Sequence, residues 1–393
     1  MERREERKNN ISEDEILQLI LKRKSQKESP MSVLRAVKFG IVGIGQGGGR
    51  LAAVFHQLGY PTVAINTSPQ DLEPLEVGVK VAIGADGAGR DIGIGRDAVE
   101  KNKDQIISSI QRAFSTTDVN YVLLCSGSSG GTGGGGIDPM VDIMKSLQLP
   151  IGVLTTLPLK SEDTRSKKNT LEVLKRLFTR VISGDIAPFI LMDNEKIIQN
   201  YPTLSTLEFW NKANEEVVKI FDMFNVLSAR NSAYTSLDPA DYKKILRAKG
   251  CMIFGALTVE DVGGENTLSS ILTENMEKGL LATGFTLLDA THAGMIVVAN
   301  RDTLSKMPRK AEENAMSTLL KLLGSGTVYK GVYESKKSEH VEVLTMISGL
   351  QLPAKRIRDL VDESKKETVH LEKKNTLKNM DEILKEFERE GAV

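Results

Sequence analysis

The pattern of apolar and polar positions changes character along the chain, and each change predicts a different kind of element. Residues 1–36 are charged and irregular apart from "SEDEILQLILKRK", where Ser12 and Glu15 stand at capping-box spacing and basic residues close the last turn. That spacing predicts a short amphipathic helix over 12–24, outside the main body. From residue 37 the pattern becomes short β-branched runs alternating with helical stretches: "KFGIVGIG", "TVAIN", "KVAIG", "YVLLCSG", "IGVLTTLP" and "APFILMDN". Strand, loop, helix and strand repeated in this way predict a doubly wound α/β domain over 37–203, a parallel sheet with helices on both faces.

A long helical stretch follows, "TLSTLEFWNKANEEVVKIFDMFNVLSAR", assigned to a central core helix at 204–235. Leu207, Trp210, Asn214, Val217, Phe221 and Phe224 fall three or four apart on one stripe. Strand-like runs then return as "GCMIFGALTVE", "AGMIVVAN", "TVYKGVY" and "HVEVLTMISGL", predicting a second, smaller α+β domain over 236–350. Residues 351–393 are dominated by charge, with Leu377, Met380, Leu384 and Phe387 at helical spacing, and predict a helical tail that packs on a partner or on the body.

Composition narrows the class. At 393 residues the chain suits two domains with an appended helix. Lys plus Arg and Asp plus Glu are both 52, so there is no bulk electrostatic case for a nucleic-acid or membrane partner. Cys125 and Cys251 each sit in an apolar run and read as buried thiols of a cytoplasmic protein. The run "ILQLIL" is far shorter than the roughly 20 residues needed to span a bilayer. His56, His292, His340 and His370 are scattered without metal-ligand or triad spacing, so no protein metal site is expected.

The candidate chemistry lies in the glycines. "CSGSSGGTGGGG", residues 125–136, directly follows a buried-strand pattern, and backbone amides without Cβ obstruction are how a chain cradles phosphate oxygens. "GIGQGG" (Gly43, Gly45, Gly48) also fits the dinucleotide fingerprint, and taken alone it reads equally as a tight turn or a dinucleotide site. The acid expected about 20 positions on is not there, however. The next strand ends in Asn66 and Thr67, and a dinucleotide site leaves the second glycine cradle unexplained. Neither stretch carries the G-K-[ST] ending of a P-loop.

Two glycine cradles on strand ends, with "GADGAGRDIGIG" between them, resemble the nucleotide site of the tubulin/FtsZ superfamily, and the resemblance runs in order over residues 38–350. The family signature GGGTGTG reads here as SGGTGGG, with Ser129 for the first glycine and Gly134 for the second threonine. The resemblance implies GTP or GDP with Mg²⁺. It places Gly45, Gln46, Gly47 and Gly48 in the first phosphate loop, Asn66 after the second strand, and Gly87, Ala88 and Gly89 in the γ-phosphate-sensing loop. Ser129, Gly130, Gly131, Thr132, Gly133 and Gly134 form the signature loop, with Thr132 as the side-chain contact to phosphate. "TLPLKSED" resembles the ribose loop, with Glu162 as its acid and Arg165 one residue off the position of its arginine. In "FWNKANEEV" the resemblance makes Trp210 stack on guanine and Asn214 hydrogen-bond its edge, where core packing is the alternative.

"SLDPADYKKIL" resembles the loop that such proteins insert into the next subunit's nucleotide site, with Asp238 and Asp241 as its catalytic acids and Ser236 in place of the usual Asn. Two carboxylates opposite a γ-phosphate can orient an attacking water, while the same residues also make a good helix start. Donor and acceptor on different copies imply hydrolysis coupled to head-to-tail assembly, with 236–350 as an activation domain. The divergent signature and the charged tail are most similar to the plasmid and bacteriophage branch, the TubZ and PhuZ type. That branch implies a cytoplasmic filament that moves or positions DNA or phage particles, its tail gripping a neighbour, a DNA-bound adaptor protein or a phage particle. No direct nucleic-acid or membrane contact is expected. A cell-division FtsZ, a non-hydrolysing nucleotide-binding scaffold and, more distantly, a dinucleotide oxidoreductase are the alternatives.

Overall fold

The computed structural model describes residues 33–202, 205–259, 263–278, 284–336 and 340–374. The helix expected over 12–24 and the tail stripe from Leu377 to Phe387 lie outside these residues. The first half runs β1 (Phe39–Ile44), α1 (Gly45–Gln57), β2 (Thr62–Asn66), α2 (Pro69–Leu72), β3 (Val79–Ala82), α3 (Ile92–Lys101), α4 (Lys103–Phe114), β4 (Tyr121–Gly127), α5 (Gly131–Ser146), β5 (Ile151–Leu157), α6 (Thr164–Ser183) and β6 (Phe189–Asp193). The second half runs α7 (Asn194–Asn200), α8 (Thr206–Leu227), α9 (Pro239–Arg247), β7 (Cys251–Val259), α10 (Thr267–Lys278), β8 (His292–Ala299), α11 (Arg301–Lys306), α12 (Arg309–Leu323), β9 (Thr327–Glu334), β10 (Val341–Leu350) and α13 (Ala354–Lys374).

The ten strands of the described residues form one sheet in the order β3-β2-β1-β4-β5-β6-β7-β10-β8-β9. The first six are parallel, and their order reverses between β1 and β4. The sheet continues into the second half through a short parallel pairing, Phe189 with Cys251 and Ile190 with Met252. Beyond it only β10 runs antiparallel to its neighbours. Strand alternation divides the core into two layers. Phe39 and Ile41 of β1 and Leu123 and Cys125 of β4 face α1, α7, α8 and α9, while Val42, Ile44, Val122 and Leu124 face α4, α5, α6, α10 and α12. Cys125 and Cys251 are buried free thiols, and burial pushes both thiols up.

Helix α8 starts with the capping box formed by Ser205 and Glu208 and ends at Leu227. Its 22 residues, at about 1.5 Å each, carry the chain roughly 33 Å. Near its end Asn225 accepts from the amide of Val37 and donates to the carbonyl of Val37, both at 2.8 Å, just before β1. One turn earlier, Asp222 binds Arg35 Nε at 2.8 Å and the Tyr60 hydroxyl at 2.7 Å. The helix therefore begins at the C-terminal end of the parallel strands and finishes at their N-terminal edge.

Helix α13 packs along α6 and enters the core through Arg356, whose Nε lies 2.8 Å from Asp193 with both side chains buried. Burial raises the Asp193 carboxyl above its ordinary range, and the Arg356 charge opposes that rise. Removing one partner of such a pair strands a buried charge, at a cost of about 3–5 kcal/mol. No described helix is long and apolar enough to cross a membrane.

Candidate nucleotide-binding site

The strand order reverses between β1 and β4, and α1 and α5 leave these strands on opposite faces. In a doubly wound sheet this opens a crevice outside the carboxyl ends of the two strands. The glycine stretches read as loops from sequence are here mostly the first turns of helices, α1 from Gly45 and α5 from Gly131. The physical reason is close backbone approach. A Cβ on Gly48 would sit 2.0 Å from the carbonyl oxygen of Cys125, and one on Gly135 would sit 2.1 Å from that of Ile92. These glycines seat α1 on β4 and α5 on α3.

Gly130 is different. A Cβ there would meet nothing within 4 Å, so the residue borders open space at the N-cap of α5. Around that space three turns meet. Gly45 abuts the amide of Gly133, and Gly131 has no room for a Cβ beneath Ala88 in the Gly87–Gly89 turn. Intrahelical bonding leaves the amides of Gly131, Thr132 and Gly133 unpaired at a helix N-terminus, which is a ready-made anion site. Gly134 is not among them, because its amide donates to the carbonyl of Gly130 at 3.0 Å.

Side chains brace the turns. The Thr132 hydroxyl, expected to reach phosphate, is buried and lies 2.6 Å from the Thr67 hydroxyl. Asp71 accepts from Gln46 Nε2 and from Asn66 Nδ2, each at 3.2 Å, and so holds two expected nucleotide contacts to one carboxylate. Asn169 donates to the carbonyls of Arg90 and Ser129 at 2.9 and 3.1 Å, tying the middle turn to the signature turn. Arg165, expected to face the nucleotide, pairs with Asp91 at 3.1 Å, while Arg90 pairs with Asp163 at 2.5 Å. Asp91 and Asp163 also cap α3 and α6. The Ser166 amide, aided by Arg90, holds the Asp163 carboxyl below the usual carboxylate range. Glu162 accepts from the amide of Leu159 at 3.0 Å within its own turn.

Thr67, Asp71, Asn169 and Asp163 are bracing residues that the motif reading did not assign. Asp71 had a signal, an acid five positions beyond Asn66. Asn169 had none, since its role depends on α6 lying beside a turn far away in sequence.

Helix α8 packs along α1, and the first turns of both lie at the crevice end of the sheet. Trp210 is half-buried there. Asn214 is buried, 5 % exposed, on the same stripe of α8. An amide carries both donors and acceptors and is suited to a ligand with both on its edge. An open space lined by helix-terminal amides, with Asn214 and Trp210 on the neighbouring helix, fits a nucleotide.

Asp238 and Asp241 are not brought to this crevice. Asp238 caps α9, accepting from the amides of Ala240 and Asp241 at 2.8 and 2.9 Å, and Asp241 pairs with Lys244 at 3.1 Å. They follow α8, and α9 delivers the chain to Cys251 at the N-terminal edge of the sheet. Beside α9 lies a surface pocket of about 440 Å³ lined by Ala240, Lys243, Lys244, Arg247, Ala248 and His292. The described residues hold no cluster of three or more His, Cys, Asp or Glu suited to a metal ion.

Comparison with known proteins places this geometry. The profile described as "Tubulin/FtsZ family, GTPase domain" matches residues 38–202, and the profile "Tubulin/FtsZ-like protein TubZ-like, C-terminal domain" matches 223–361. Tubulin-like protein CetZ of Pyrococcus abyssi is 27 % identical over 341 residues, covering 83 % of this chain and 89 % of that protein. Tubulin-like protein TubZ of Bacillus cereus is 22 % identical over 394 residues, covering 91 % and 89 %. A GTPγS-form protofilament of Bacillus thuringiensis serovar israelensis TubZ shares the fold with a TM-score of 0.79 at 20 % identity, covering 91 % of this chain and 98 % of that one. The two matched profiles lie in order along one sheet, with the glycine turns in the first and the Asp238 loop in the second: the chain belongs to the tubulin/FtsZ family of GTPases, with TubZ-like features in its C-terminal half.

Proposed function

We propose that this chain binds GTP in the β1–β4 crevice and hydrolyses it when a second copy docks head-to-tail, so that turnover accompanies filament growth. The separation of the two half-sites carries this reading. The glycine turns stand at the carboxyl ends of β1 and β4, while Asp238 and Asp241 lie beyond α8 toward the opposite edge of the sheet. Positioning and charge compensation account for most of phosphoryl-transfer catalysis. In this reading Gly130 to Gly133 hold the phosphates, Trp210 and Asn214 hold guanine, and Glu162 approaches the ribose. Asp238 and Asp241 of the neighbouring copy orient the attacking water. Mg²⁺ bound with the nucleotide would supply charge compensation at the phosphates.

The filament is read as cytoplasmic and cytomotive. The TubZ-like C-terminal domain supports a role in segregating plasmid or phage DNA, through an adaptor protein or a phage particle held by the helical tail. The test is light scattering and phosphate release recorded together over a protein concentration series with Mg²⁺ and GTP. A critical concentration shared by both signals is expected. Hydrolysis without scattering would mean that one chain completes the site, and no response to GTP would overturn the nucleotide reading.

A further inference from the structure

The turn between β5 and α6, residues 158–163, carries Glu162, and its main chain is held by three helices. The Lys160 amide donates to Glu195 Oε2 of α7 at 3.0 Å. The Lys160 carbonyl accepts from the buried Lys167 ammonium of α6 at 2.8 Å. The Pro158 carbonyl accepts from Arg356 Nη2 of α13 at 2.9 Å. Of these three tethers, the last reaches across from the C-terminal helix.

Arg356 does more than neutralise Asp193. A lysine could place one positive charge beside that carboxylate, whereas a guanidinium presents several donors in a rigid fork. Here one donor, Nε, goes to Asp193, and a second, Nη2, goes to the main chain of the turn. The third nitrogen, Nη1, lies 3.6 Å from Glu363 and makes no hydrogen bond. With 4 % of its side chain exposed, the fork is seated firmly between α13, the end of β6 and the turn.

Resting on the nucleotide reading above, we propose that Arg356 is a positioning residue: it ties the C-terminal helix to the Glu162 turn, so that the seating of α13 sets nucleotide affinity. Linkage makes the coupling reciprocal, and a partner that pulls on α13 therefore changes how tightly nucleotide is held.

The test uses the full chain below its assembly concentration, titrated with a fluorescent GTP analogue. Wild type is compared with Arg356→Lys, Glu162→Gln and the double variant, alongside thermal denaturation and hydrogen exchange over the turn. Arg356→Lys keeps a charge beside Asp193 and loses the bond to Pro158. It is expected to weaken binding about 3- to 10-fold, the range of one lost hydrogen bond. Exchange at the turn amides should quicken, and little further loss should appear in the Glu162→Gln background, because the two residues act through one contact. A folded Arg356→Lys protein with wild-type affinity, or its full effect persisting beside Glu162→Gln, overturns the assignment. If Arg356→Lys does not fold, Glu195→Ala releases the same turn at Lys160, and wild-type affinity there overturns the proposal. A wild type that binds no GTP analogue overturns the nucleotide reading instead.

Discussion

Gly130 and Gly135, five residues apart, make opposite predictions when changed to alanine. Gly135 lies within α5, and a Cβ there would stand 2.1 Å from the Ile92 carbonyl oxygen, a backbone atom that no rotamer change can move. Relief requires α5 to shift from α3 by about 1 Å, and overpacking of this kind costs about 1–3 kcal/mol. The gain in helix propensity from Gly to Ala returns about 1 kcal/mol. Taking the upper end for a backbone clash, Gly135→Ala should be destabilised by about 2 kcal/mol, with a melting temperature a few degrees lower.

Gly130 has φ −81° and ψ 161°, ordinary for alanine, and open space around it. Its loss of N-cap preference and its gain from a stiffer unfolded chain roughly cancel, leaving stability within about 1 kcal/mol of wild type. Its new methyl, however, enters the space assigned to phosphate. Losing one hydrogen bond to a charged group, about 1.5–3 kcal/mol, lowers GTP affinity about 10- to 100-fold. Thermal denaturation of the nucleotide-free proteins and titration with a fluorescent GTP analogue separate the two effects. Wild-type binding by Gly130→Ala would refute the placement of phosphate, and wild-type stability of Gly135→Ala would refute the packing account.

Three further outcomes are expected. Asp238→Asn keeps an equally good N-cap and should leave the melting temperature unchanged while phosphate release in assembled protein collapses, whereas Asp238→Ala should also cost about 1 kcal/mol of stability. Asn214→Leu replaces a buried amide with an apolar side chain of similar size, so the nucleotide-free protein should be no less stable. GTP binding should nevertheless fall at least about 10-fold and discrimination against ATP should narrow, as a competition titration would show. Burial and the nearby Lys244 lower the His292 pKa below its ordinary 6.5. The unfolded chain therefore takes up a proton first, so stability is level above about pH 6.5 and declines as pH falls toward the lowered value. His292→Gln should flatten that part of a denaturation-versus-pH curve.

Much of the fold was legible because its signals are local. The six short apolar runs from "KFGIVGIG" to "APFILMDN" became β1 to β6, and the stripe from Trp210 to Phe224 became the buried face of α8. Asp238 before Pro239 announced both a helix cap and an acidic loop, and the structure shows the cap. The glycine stretches announced a phosphate cradle, yet composition could not separate glycines that let backbones touch, such as Gly48 and Gly135, from Gly130, which borders open space. That distinction depends on what lies opposite each residue.

The chain by itself determined the alternation of strands and helices, the caps and the position of each candidate group in order, since these follow from side-chain periodicity and neighbours a few residues apart. Only the tertiary structure decided that Thr132 spends its hydroxyl on Thr67 and that Arg165 pairs with Asp91. It also decided that Asp71 gathers Gln46 and Asn66, and that Arg356 reaches the main chain of Pro158 across 198 positions. Hydrogen bonds and ion pairs act over about 3 Å of space whatever the distance along the chain, so they come into being only when the sheet brings its strand ends together.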